Sequence, residues 1–147
     1  MKYLRAFTLI ELIFVIVVLG ILAVIALPKF ASTREMADLA KGRADVATIR
    51  AAIANERSQQ VIKGTHTYMS KLSTSDTATT LFTGNGERKL LTYGMKAGTS
   101  SGEWAIVNDT TYTFKVGEIE TEFEYTSSDG KFACVAAADN KCNALSN

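Results

Sequence analysis

A chain of 147 residues with a formal net charge of +1 has room for one modest domain beyond an anchoring segment. That charge argues against nucleic-acid binding by bulk electrostatics, because no cationic excess is available to displace counterions from phosphates, and no nucleic acid is expected as a partner of the chain alone. The two cysteines, Cys134 and Cys142, form an even pair, most simply a disulfide in an oxidising compartment.

The chain opens with Lys2 and Arg5 and then turns apolar. Phe7 to Leu27 reads FTLIELIFVIVVLGILAVIAL, 21 residues with Glu11 as the only ionisable side chain. As a helix this stretch is about 30 Å long, the thickness of a bilayer's hydrocarbon core. It exceeds the roughly 7–15 apolar residues of a secretory signal and no clean small-residue cleavage site follows it, so it is expected to remain in the mature protein. Basic residues precede the stretch and none follows until Lys29, which keeps the start of the chain in the cytoplasm and sends the rest outward. Glu11 is the anomaly. A carboxylate well inside a spanning helix costs about 2.5–3.5 kcal/mol and calls for a partner. Nothing in the helix offers a cation, but cleavage before Phe7 creates a free α-amine one helical turn from Glu11, and a helix N-terminus itself favours negative charge.

Lys2 and Arg5, then Ala6, then FTLIEL, then an apolar helix carrying Gly20 and Pro28: this order resembles the N-terminus of type IV prepilins and type II secretion pseudopilins. The match is close over residues 1 to about 30 and architectural beyond. The resemblance implies that a prepilin peptidase cuts between Ala6 and Phe7 and methylates the Phe7 amine. It also implies that Glu11 pairs with the Phe7 amine of a neighbouring subunit in a helical homo-oligomer. An assembly ATPase and an inner-membrane platform are implied as partners, beside the membrane itself, and no cofactor is. One residue departs from the pattern: the family usually has glycine just before the cut, where this chain has Ala6. Pilin helices commonly lose regularity in the filament between positions matching Gly20 and Pro28. Elementary chemistry agrees, since Pro28 removes a backbone bond and kinks the helix while Gly20 weakens it.

From Lys29 to Lys63 the helical period continues. Ala37, Ala40, Ala44, Ala47, Ala51 and Ala54 make one stripe, and Leu39, Val46, Ile49 and Ile53 a second, bulkier one, with Arg43, Arg50 and Arg57 alongside. The bulky stripe is expected to cover a sheet from the same chain. The alanines allow close approach of other helices, as in membrane bundles. Gly64 supplies the stop.

Residues 65–103 are rich in Ser, Thr and Gly and read as a long variable loop, with a short strand or helical turn expected at Thr80–Phe82 and at Lys89–Tyr93. Strict alternation then takes over. Trp104–Val107 is followed by the turn pair Asn108–Asp109. Tyr112, Phe114 and Val116 share one strand face. Ile119, Phe123 and Tyr125 are expected inward on the next strand, with Glu118, Glu120, Glu122 and Glu124 outward, and a last strand at Phe132–Ala136. The four glutamates diverge along a ladder. They read as a solvated face, or a contact for basic side chains of an adjacent subunit, rather than a catalytic or calcium-binding pair.

No chemistry-bearing constellation emerges. The Cys134–Cys142 spacing is not the C-x-x-C of redox or zinc sites, His66 lies in a polar loop without identifiable partners, and GNG at Gly84–Gly86 is a turn signal. The expected architecture is α+β: a leader at 1–6, a transmembrane and filament-core helix at 7–28, an amphipathic helix at 29–63, a variable region at 64–103, and an antiparallel sheet with a disulfide loop at 104–147. The expected function is that of a non-enzymatic, pilin-like filament subunit. A secretion pseudopilin and a membrane-tethered periplasmic binding domain are the alternatives.

Overall fold

The structure is a computed structural model and describes residues 7–135 and 140–146. The expected leader at 1–6, with Lys2, Arg5 and Ala6, lies outside the described residues, as does Ala136. The elements are α1 (Leu9–Ile62), β1 (Thr80–Leu81), β2 (Met95–Lys96), β3 (Trp104–Ile106), β4 (Thr111–Val116), β5 (Ile119–Thr126), β6 (Lys131–Cys134) and α2 (Asn140–Ser146). Long helix followed by antiparallel sheets is the α+β class that the alternation and the amphipathic stripe predict. The chain divides into two units, Met1–Arg34 and Glu35–Asn147.

The first unit carries the apolar part of α1. Every side chain from Phe7 to Ile25 is exposed, so this segment has no protein core of its own. Pro28 and Gly20 both lie within the span assigned to α1; the helix does not end at the proline.

In the second unit, the bulky stripe does what its spacing predicts. Val46, Ile49 and Ile53 are buried and Leu39 packs against the core they share with Trp104, Tyr112, Phe114, Phe123, Tyr125 and Phe132. The alanine stripe is exposed along its length. Gly64 ends α1 with φ of 82°, the left-handed conformation a glycine adopts without a Cβ penalty. The Thr65 N–H donates to Gln60 O (2.9 Å) and the Gly64 N–H to Val61 O (3.0 Å), a Schellman closure.

The main sheet has the order β3-β4-β5-β6, antiparallel throughout. Its register sets Trp104 opposite Phe114, Tyr112 opposite Phe123, and Tyr125 opposite Phe132, so aromatic pairs line the inner face. Neither edge is bare. The Gly98 N–H donates to Trp104 O (2.9 Å) beside β3, and Arg50 Nε donates to Phe132 O (3.0 Å) beside β6.

Three expectations need correction. Lys89–Tyr93 is neither a strand nor a helical turn: Lys89 makes only an isolated bridge to Gly84, and the partner of β1 is β2 at Met95–Lys96. Ile119 has the right parity for the inner face but is the first residue of β5 and is 40% exposed; Thr121, two residues on, is buried at 3%. The last strand is one residue earlier at its start and ends at Cys134. Helix α2 was not foreseen. The variable region is also more firmly held than its composition suggests, since Met69, Leu72, Ser73, Leu81 and Phe82 are all buried.

Candidate assembly surface

The residues that the motif singles out sit at the start of α1. Thr8 caps the helix: its Oγ1 accepts the Glu11 N–H (3.3 Å) and its carbonyl accepts the Leu12 N–H (3.2 Å). Thr-x-x-Glu before an apolar run is the sequence signature of a capping box, a signal that sequence reasoning passed over. Glu11 falls in the first turn, where the helix dipole favours a carboxylate, and its side chain is exposed. The first helical residue is Leu9, so Phe7 stands just ahead of the regular turn rather than on the helical face one turn from Glu11. Phe7 is 78% exposed. The helix is long and apolar enough to cross a membrane. The large side chains from Leu9 to Leu27 stay uncovered within one copy, an apolar surface that lipid or other subunits must cover.

The three arginines beside the bulky stripe are internal clamps. Arg43 Nε donates to Ala144 O; Arg50 donates to Phe132 O (3.0 Å) and Ser146 O (3.1 Å); Arg57 donates to Thr65 O (3.1 Å) and lies 4.9 Å from the centre of the Tyr68 ring. Two of them therefore satisfy carbonyls at the C-terminal end of α2, where a cation also complements the dipole. The bond between Cys134 and Cys142 (Cα–Cα 5.8 Å) ties β6 to α2, as the cysteine pair predicts. Leu145, 1% exposed, seats α2 in the core.

Sequence reasoning missed the polar contacts that hold residues 65–92. Arg88 grips Glu56 with two bonds of 2.6 Å and donates to Thr67 O (3.2 Å). Glu56 is 6% exposed, so each partner neutralises a charge that burial would otherwise penalise. Tyr125 Oη donates to Met69 O (2.8 Å), and burial pushes the Tyr125 phenol up to about 12. Burial also raises the Tyr112 phenol, whose hydroxyl donates to Ser73 Oγ (3.2 Å). Asp45 is raised by burial, opposed by the hydrogen bond from Trp104 Nε1 (3.1 Å) and by Lys41. These groups brace the fold; Glu56, which borders a groove beside residues 89–92, is taken up by Arg88. The four glutamates are exposed as expected, and His66 is exposed in the turn after α1.

Residues 1–27 match the family model of the prokaryotic N-terminal methylation motif, the signal motif of type IV pilins and pseudopilins. The motif supports a type IV pilin-like or pseudopilin subunit in general, a structural component rather than an enzyme, anchored in a membrane. No curated protein and no solved structure shows significant similarity to this chain.

Proposed function

We propose that the chain is a structural subunit of a type IV pilus-type filament. Prepilin peptidase removes residues 1–6, the Phe7 amine is methylated, and Glu11 pairs with that amine on a neighbouring copy. Before assembly the apolar half of α1 spans the inner membrane once with the sheet-bearing unit in the periplasm. An assembly ATPase and inner-membrane platform extract it, and the helix, flexible around Gly20 and Pro28, then packs in the fibre core. The observation that carries this reading is the methylation motif at the head of an apolar helix that stays exposed from Phe7 to Ile25 and holds a single carboxylate. The Cys134–Cys142 bond supports a pilus over a secretion pseudopilus, whose major subunits usually lack such a bridge and bind calcium near the C-terminus.

Mass spectrometry of sheared surface fibres from the native host tests the reading: the subunit is expected to begin at N-methylated Phe7. Glu11→Ala is expected to leave the chain in the membrane fraction while fibre yield drops by about a hundredfold or more, since stranding a charge in low dielectric costs about 3–5 kcal/mol. A protein that still begins at Met1, or a Glu11→Ala variant that assembles normally, overturns it. Retained function without any fibre favours the tethered binding domain.

A further inference from the structure

Two exposed surfaces of the sheet-bearing unit carry unpaired charges of opposite sign among the described residues, the carboxylate of Glu56 in the first being neutralised by Arg88. One is a groove of ≈ 420 Å³ between the flank of α1 and residues 89–92, floored by Ala51, Ala52 and Leu91. Lys89 lines it, and Lys63, in the turn that closes α1, donates its backbone N–H to the carbonyl of the lining residue Gln59 (3.3 Å) and so follows it by one turn. Neither lysine is in an ion pair with a described residue. Tyr93, 90% exposed, follows directly on the groove wall, an amphipathic ring of the kind enriched in interfaces. The other surface is the outer face of the sheet. Glu120 faces Lys115 across the ladder, but Glu122 faces Thr113, and Glu124 lies between Thr111 and Ala133. Neither of these two carboxylates has a cation directly opposite; Lys115 and Lys131 stand diagonally, one pair along the ladder, and neither carboxylate is in an ion pair with a described residue.

We propose that the groove lined by Lys89, with Lys63 one turn beyond Gln59, receives the Glu122–Glu124 face of a second copy of this chain. The inference rests on the filament reading and adds a contact between sheet-bearing units to it. The ladder residues alternate with Thr121, Phe123 and Tyr125, whose side turns toward α1, so the carboxylates point away from the helix that bears the groove. The two surfaces cannot meet within one copy. Joining them between copies is a head-to-tail contact, the kind that propagates into an open helical array when its rotation does not close. Charge complementarity fixes the register and disfavours the reversed pairing.

The test uses the full chain expressed in its filament-producing host. Three variants are compared with the parent: Glu122→Lys with Glu124→Lys, Lys63→Glu with Lys89→Glu, and all four together. Subunit level in the membrane fraction and protection of Cys134 and Cys142 from thiol labelling report folding. With both unchanged, each paired reversal is expected to lower fibre yield by about tenfold or more, and the fourfold reversal to restore it to within about threefold of the parent. Carbodiimide coupling of parent fibres is expected to link Lys63 or Lys89 to Glu122 or Glu124 of another copy. Parent-level yield from either folded reversal, or no recovery in the fourfold variant, overturns the contact while leaving the filament reading intact. Absence of fibres from the parent takes both down. Should a reversal misfold, the absence of that cross-link in parent fibres decides against the contact.

Discussion

Gly42 sets the seat of α2 by what it lacks. A Cβ at that position would come within 2.5 Å of Phe114 Cε1 and 2.6 Å of Leu145 Cδ2, so α1, the sheet and α2 converge there only because no side chain intervenes. Gly42→Ala is expected to lower stability by about 1–3 kcal/mol through overpacking, although alanine is the better helix former by about 1 kcal/mol. Thermal unfolding of the full chain in detergent reads the difference. Tyr125 supplies a pH handle. Its folded value near 12 lies above the ordinary phenol value of 10.0, so the folded state holds the proton more tightly. The associated stability is fully present below pH 10, falls as pH rises through 10, and is spent by 12, a loss of about 2–3 kcal/mol. Tyr125→Phe is expected to flatten that alkaline decline in a pH series of melts while lowering stability at neutral pH by about 1 kcal/mol through the missing bond to Met69 O. Asp45 acts in the opposite pH range: its raised value means that acidification relieves, rather than adds, a cost.

At the scale of elements, what could be read from sequence divides by the range of the interactions involved. The three-four spacing of Val46, Ile49 and Ile53 and the alternation of Tyr112, Phe114 and Val116 are local patterns, and both elements form with the expected faces buried. Residues 65–92 take their order from contacts without a repeat, Arg88 on Glu56 and Tyr125 on Met69 reaching outside the segment and Gly84 N–H on Leu72 O within it, which leave no period to detect. Helix α2 is hidden for a related reason. Seven residues are too few to show amphipathicity or to hold a helix unaided, and its stability comes from Leu145, Arg43, Arg50 and the disulfide. Replacing Cys134 and Cys142 together by serine is expected to cost about 2.5 kcal/mol on the chain-entropy account. Hydrogen exchange is expected to rise first in residues 140–146 and least in β4 and β5. Uniform loss of protection across the sheet would show instead that the bridge holds the whole unit.

At the scale of the molecule, the methylation motif was legible because its whole pattern lies in the contiguous run of residues 1–27 and needs no distant partner to be read. The Thr8 cap shows the limit of that legibility: the motif drew attention to Glu11, and the hydroxyl three residues earlier that orders its turn went unnoticed. The second unit has a closed aromatic core, whereas the first exposes its apolar side chains and depends on what surrounds it. The covered margins of the four-stranded sheet bear on how copies coexist. With Trp104 O taken by Gly98 and Phe132 O by Arg50, crowded neighbours find no continuous row of free amides and carbonyls on which to zip up irreversibly. In the proposed filament, adhesion between molecules is thereby left to side chains and apolar helices, bonds weak enough one by one to be undone, so that such a polymer could be taken apart as well as put together.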